Sequence, residues 1–181
     1  MIDLQALPEL APYGMAREEK RAFLARELGE LTRFHGEHCP EYGRLLAALG
    51  AQPGQTDDFE SLPFLPVRLF KEFSLKSVPE EALARTMTSS GTTGRPTVVG
   101  YTRDDIEMWS TCVARLAVAG GATDEDIAQI SFGYGLFTGG LGLHYGVERI
   151  GATVVPISAG NTKRQLMLMQ DLGTTAIACT P

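Results

Sequence analysis

Between residues 127 and 179 the sequence alternates short β-branched runs with single amphipathic stretches, and this alternation limits the possible folds more than any other feature. Residues 127–132, 152–157 and 175–179 predict strands. Residues 139–150 predict a glycine-rich helix, and 162–172 a helix with Leu166, Met169 and Leu172 inward. Strands separated by single helices and tight loops imply βαβ crossovers, and hence a parallel sheet. Ligands of such sheets bind beyond the carboxyl ends of the strands, where the loops 132–142 and 158–162 are expected. The sequence stops at Thr180-Pro181, directly after a strand, so the expectation is a sheet belonging to a longer architecture, open to self-association along its edge.

Upstream lies the most polar segment, Thr88-Ser89-Ser90-Gly91-Thr92-Thr93-Gly94-Arg95-Pro96-Thr97. Hydroxyls, glycines and an arginine cannot make a core there. They can make a loop whose backbone N–H groups and hydroxyls converge on an anion. Short strands at 84–87 and 97–101 predict a wide hairpin with this loop at its tip. A plain Ser/Thr/Gly turn is the alternative.

Residues 1–84 form an N-terminal helical and extended region, and 85–181 the loop plus the α/β part. Pro8, Pro12 and Gly14 keep the first 15 residues irregular. Phe23, Leu24, Leu28, Leu31 and Phe34 recur at helical spacing, so a helix starts near Ala16 and ends before Gly36 or at Pro40. A second helix carries Tyr42, Leu45, Leu46 and Leu49 and closes at Gly50. Residues 51–61 are a polar connection. The run 61–71, with Pro63 and Pro66, predicts an extended segment packed over the edge of the core and leading into a short helix or turn. Downstream, Thr102 and Asp105 predict the start of a helix with Ile106, Trp109, Val113, Leu116 and Gly120 on one face, closed by Gly120-Gly121. Trp109 reads as core rather than as a cofactor platform.

Several chemistries fail on spacing. Gly91 and Gly94 are too close for a Walker A loop, and Arg95-Pro96 replaces the Gly-Lys-Ser/Thr ending. Gly133, Gly135 and Gly139 resemble a dinucleotide fingerprint, but the third glycine is late and Thr153 stands where an acidic ribose ligand belongs. The alternative there is a loop in which Tyr134 and Phe137 offer aromatic surface to an apolar ligand part, with His144 able to hydrogen-bond beside them. His35, His38 and Cys39 share a helix face but lack a fourth ligand, and read as an ordinary helix end. No Ser/His/Asp set and no CxxC occurs. The charge of −6 argues against a nucleic-acid partner. No run is apolar enough for a membrane span, and the N-terminus lacks the features of a signal peptide. Three scattered cysteines fit a reducing cytoplasm.

These residues resemble a known family. The run Ser89-Ser90-Gly91-Thr92-Thr93-Gly94-Arg95-Pro96-Thr97-Val98-Val99-Gly100-Tyr101-Thr102 is similar to the signature phosphate loop of adenylate-forming enzymes, above all their phenylacetate–coenzyme A ligase branch. Phe132-Gly133-Tyr134-Gly135-Leu136-Phe137-Thr138-Gly139-Gly140-Leu141-Gly142, His144-Tyr145-Gly146, and Val155-Pro156-Ile157-Ser158-Ala159-Gly160-Asn161-Thr162 resemble that branch in order, and the terminal Thr180-Pro181 continues it. Upstream, Leu62-Pro63-Phe64-Leu65-Pro66-Val67-Arg68-Leu69-Phe70-Lys71 looks more like acyl-protein synthetases.

The resemblance implies a ligase that converts a small carboxylic acid and Mg·ATP to an acyl-adenylate and pyrophosphate, and then to a coenzyme A thioester. Ser89, Ser90, Gly91, Thr92, Thr93, Gly94 and Arg95 would hold the β- and γ-phosphates of ATP. Tyr134, Phe137, Gly139 and Gly140 would line the acyl pocket, and residues 158–161 would lie on the nucleotide side. The family's Mg2+-binding acidic motif, ribose-binding aspartate, hinge and catalytic lysine fall beyond residue 181, so no catalytic or metal-binding residue is assigned. On that reading the isolated chain would not turn over. The alternatives are a non-catalytic ATP-binding module, a split-enzyme subunit completed in trans by a C-terminal half, or an acyl-protein synthetase-like enzyme with a protein thiol as acceptor.

Overall fold

In the computed structural model, which describes residues 14–52, 58–89, 94, 96–135 and 138–180, the chain divides into two units, Met1–Leu83 and Ala84–Pro181. In the first unit, helix α1 (Arg17–His38) runs through Gly36 and stops at Cys39. Pro40 disfavours helical backbone in the residue before it and is itself the first residue of α2 (Pro40–Ala48). The helices meet at glycines: a β-carbon on Gly43 would stand 2.6 Å from the Gly36 carbonyl oxygen. The buried positions are accordingly Ala25, Gly29, Cys39 and Leu46, whereas Leu28 and Leu31 are exposed. Arg21 reaches Asp58 and Glu60 at 3.0 Å each, tying a 3-10 turn (Phe59–Ser61) to α1.

The segment 61–71 departs from expectation. Phe64 is 80% exposed and Val67 is also exposed, so neither packs on a core. Pro63 and Pro66 hold the chain extended until α3 (Leu69–Glu72), and no helical period gathers the apolar side chains onto one face before it.

The second unit opens with the expected hairpin. Strands β1 (Arg85–Thr88) and β2 (Val98–Tyr101) pair antiparallel, Arg85 opposite Tyr101 and Thr88 opposite Val98. Helix α4 (Arg103–Ala119) starts in a capping box in which Thr102 Oγ1 accepts from the Asp105 N–H and Asp105 Oδ2 accepts from the Thr102 N–H. Then follow β3 (Ile127–Ile130), α5 (Thr138–Arg149), β4 (Thr153–Val155), α6 (Thr162–Leu172) and β5 (Ala176–Ala178).

The three strands are parallel in the order β4-β3-β5. Alternation along β3 fixes which helix covers which face. Ala128 and Ile130 pack in one cluster with Val147 of α5. Gln129, between them, points the other way and bonds Gln165 of α6. The two helices therefore cover opposite faces. The chain leaves β3 for β4, then returns past β3 to β5, which puts a topological switch point between β3 and β5.

Two helical faces are rotated from the expected ones. On α4, Ser110 and Ala114 are buried and Leu116 is 67% exposed, because α5 approaches too closely for leucines to lie between them. A β-carbon on Gly142 would meet Trp109 at 2.3 Å, and one on Gly146 would meet Val113 at 2.4 Å. On α6, Leu166 is 57% exposed and Leu172 is exposed. Met169 turns inward as expected, and Gln165 joins it in place of the two leucines, because β3 presents a polar side chain to this helix. No helix among the described residues is long and apolar enough to cross a membrane.

Candidate functional site at the carboxyl edge of the sheet

Parallel strands bring the segments after β3, β4 and β5 to one edge. At the switch point the Ser131 N–H donates to the Ala178 carbonyl at 2.8 Å, closing β3 on β5 where the strands end. After β4 the Ser158 N–H donates to the Ile130 carbonyl at 3.1 Å. Ser158 has φ 70° and Asn161 φ 51°. Side chains other than glycine are uncommon in that region of backbone space, and each such residue costs on the order of 1 kcal/mol. Asn161 recovers part of this by capping α6, its side chain accepting from the Arg164 N–H.

The loop after β3 carries Tyr134, whose hydroxyl lies 3.2 Å from His144 Nδ1. His144 Nε2 lies 3.3 Å from Glu148 Oε1, one helical turn further along α5. Burial pushes the Tyr134 phenol above its ordinary value of 10.0, and the negative charge of Glu148 adds to this. The phenol thus stays protonated, and in the tautomer that carries Nε2–H towards the carboxylate it is the donor to Nδ1. Gly140 is buried, and a β-carbon there would stand 2.7 Å from the Gly133 carbonyl oxygen. Its place in the structure is the close approach of loop and helix. Gly139 sits beside it in the first turn of α5. Phe137 lies outside the described residues.

At the hairpin tip, Ser89 and Thr97 close the ladder twice. The Ser89 N–H donates to the Thr97 carbonyl and the Thr97 N–H donates to Ser89 Oγ, both at 3.0 Å. The Ser89 side-chain oxygen thus accepts within the hairpin. Gly94 has φ 116°, a conformation open to glycine. Ser90, Gly91, Thr92, Thr93 and Arg95 lie outside the described residues.

A series of ring contacts runs from the hairpin to the loop after β3. Tyr101 stacks on Trp109 (centroids 5.6 Å apart), Trp109 meets Tyr145 edge-on (6.4 Å), and His144 meets both Tyr145 and Tyr134 edge-on (5.8 Å each). Trp109 is thus a packing residue, as its sequence context predicts. An open cleft of about 610 Å³ lies elsewhere, lined by Arg85, Arg103, Glu107, Tyr145 and Arg149. It adjoins the carboxyl-terminal end of α5, the end remote from the strand termini, and Arg149 is neutralised there by Glu107 at 2.7 Å.

The histidines near residue 39 have local partners. His35 Nδ1 lies 2.6 Å from Ser77 Oγ, His38 Nδ1 bonds the Phe34 carbonyl, and Cys39 is buried. Sequence reasoning missed Gln129, Ser131 and Gln165. The one available signal was a glutamine in the middle of the apolar run Ile127-Ala128-Gln129-Ile130, which needs a buried partner.

No family model matches the chain. Named proteins do. A phenylacetate-coenzyme A ligase of Thermus thermophilus is 45% identical over 180 residues, 96% of this chain and 40% of that protein. One of Escherichia coli is 40% identical over 170 residues, 91% of this chain and 39% of that protein. The chain is similar to part of these phenylacetate-coenzyme A ligases. It spans about two-fifths of the length of these curated relatives. Among solved structures, a 2-hydroxyisobutyryl-CoA ligase in the postadenylation state, in complex with 2-HIB-AMP, superposes with a TM-score of 0.81 at 22% identity. That match covers 93% of this chain and 40% of the other. The chain therefore has the α/β fold found in part of that 2-hydroxyisobutyryl-CoA ligase.

Proposed function

We propose that the chain supplies the phosphate-gripping and acyl-facing parts of an AMP-forming carboxylate–coenzyme A ligase acting on an aryl or related acid. The observation that carries this reading is the hairpin tip closed by Ser89 and Thr97, bearing a Ser/Thr/Gly/Arg loop in a chain 45% identical to a phenylacetate-coenzyme A ligase. In the proposed reaction a carboxylate oxygen attacks the α-phosphorus of ATP. The bond to the bridging oxygen breaks, and pyrophosphate leaves with its electron pair. Coenzyme A sulfur then displaces AMP from the acyl carbon.

Charge grows on the departing pyrophosphate, so fixed donors aimed at it lower the barrier more than they stabilise bound ATP. Ser89 to Gly94 and Arg95 would be those donors. Tyr134, Phe137, Gly139 and Gly140 would face the acyl group, Tyr134 with its hydroxyl engaged by His144 so that the ring is offered to it. Mg2+ would neutralise phosphate charge. Among the described residues no group of three or more His, Cys, Asp or Glu side chains is placed to hold a metal. The proposed compartment is the cytoplasm, in keeping with three unpaired cysteines.

The test is Gly91→Val and Thr92→Val in the protein as expressed from its own gene. Both should abolish acid-dependent exchange of pyrophosphate into ATP while the unfolding midpoint stays near the wild-type value. Normal exchange in folded variants removes the loop from the reaction.

A further inference from the structure

Gln165 makes four hydrogen bonds with one amide. Its Nε2 donates to the carbonyls of Ser158 (3.2 Å) and Gly160 (2.9 Å). Its Oε1 accepts from Gln129 Nε2 (3.2 Å) and from the Ser131 hydroxyl. The orientation is fixed by chemistry: carbonyl oxygens only accept, so the nitrogen must face the loop and the oxygen must face β3. The same constraint obliges Gln129 to present its nitrogen. Gln129 Oε1 is then left without a partner in a side chain that is 0% exposed. Leaving a buried polar atom unpaired costs stability, and here the cost accompanies a defined arrangement at the carboxyl edge.

We propose that Gln165 is a positioning residue that latches the turn 158–161 onto the carboxyl end of β3, setting where that turn meets a nucleotide. The two backbone carbonyls it holds flank Ala159, within a turn that contains two non-glycine residues in the left-handed region, Ser158 and Asn161. Released from Gln165, such a turn relaxes toward ordinary backbone and moves from the switch point. Gln129 lies in β3 and Ser131 directly follows it, so the latch joins the loop after β4 to the end of β3 through one side chain in the first turn of α6. The inference rests on the ligase reading only for the identity of the ligand, since the latch itself is a property of the fold.

Two variants and two measurements test it. Gln165→Leu removes all four bonds, and Gln165→Glu keeps the acceptor while losing both donors to the loop. In the 181-residue chain, amide hydrogen exchange at Ser158, protected by its bond to Ile130, should accelerate about tenfold in either variant, the loss expected for one or two hydrogen bonds. The Thr153 amide, bonded to Asp126 at the far end of the sheet, should not change. Unchanged exchange at Ser158, or equal acceleration at both amides, overturns the latch. In the protein as expressed from its own gene, Gln165→Leu should raise the KM for ATP about tenfold with kcat within about twofold, the loss tracking the same one or two hydrogen bonds. Mere loss of folded protein would lower kcat and leave KM alone, and that result also overturns the proposal. If the wild-type protein shows no acid-dependent exchange of pyrophosphate, the ligase reading falls, and the Ser158 measurement still decides the latch.

Discussion

A β-carbon on Gly142 would stand 2.3 Å from Cζ2 of Trp109 and 2.7 Å from Cε2, inside the van der Waals surface of the indole. Helices α4 and α5 can approach as they do because that position is empty. Gly142→Ala should therefore destabilise the second unit by about 1–3 kcal/mol, the usual cost of overpacking a filled interior. Trp109 is the sole tryptophan, so its fluorescence reports on this contact directly. Denaturant unfolding of the variant, followed at the indole, should show a lower midpoint and altered native emission.

Asp126 ties the amino ends of β3 and β5 together. Its carboxylate accepts from the Thr175 hydroxyl (2.6 Å) and from the Thr123 N–H (2.7 Å) and hydroxyl. The Thr175 bond, then the Thr123 N–H, hold its pKa below the ordinary 3.8. A carboxyl with a depressed folded pKa adds stability above its unfolded pKa and loses it as pH falls through the folded one. Thermal midpoints measured against pH should fall below about pH 4 in the wild type. Asp126→Asn should flatten that part of the profile, lying below wild type at neutral pH and converging with it in acid.

His35 gives the first unit a different window. Burial, and then the proximity of His38, lower its pKa from 6.5, so it is neutral in the fold, opposite the Ser77 hydroxyl. The unfolded chain binds the proton more readily, so stability rises with pH between the folded value and 6.5 and is lost as pH falls through that range. The protection of α1 amides, taken relative to the intrinsic exchange rate at each pH, should fall on acidification from about pH 7 to pH 5. His35→Gln should remove that sensitivity.

Tyr134→Phe keeps the ring and deletes the hydroxyl that engages His144. A lost hydrogen bond of this kind costs about 1 kcal/mol. Under the ligase reading, the KM for the acid should rise by several-fold, with ATP affinity unchanged. An effect on ATP alone would move Tyr134 away from the acyl side.

Much of this architecture is legible in the residues. The βαβ order follows from the β-branched runs and helical periods after Ile127, and the hairpin from the polar decapeptide between two apolar segments. The capping box at Thr102 and Asp105 is local chemistry that a sequence states outright. Rotation of the helical faces is different. Leu116 and Leu166 fit an apolar period, yet both are exposed, because burial is decided by what lies opposite: glycines on α5 in one case and Gln129 on β3 in the other. Of the two expected ends of α1, Pro40 is the one that fits, and Gly36 is instead a contact point inside the helix, since the approach of α2 is not written in α1. At the candidate site, the residue types around Tyr134 and Ser158 were legible. The Gln165 bonds to β3 were not, because they join positions more than thirty residues apart in sequence.

The central claim is that the Ser89–Arg95 loop and the carboxyl edge of the sheet serve adenylation of a carboxylic acid. Its most direct measurement is exchange of labelled pyrophosphate into ATP by the protein as expressed from its own gene, across a panel of aryl and fatty acids. The account predicts exchange that requires both Mg2+ and an acid, strongest with an aryl acid such as phenylacetate. Absence of exchange with every acid in the panel, from a folded protein, would contradict it.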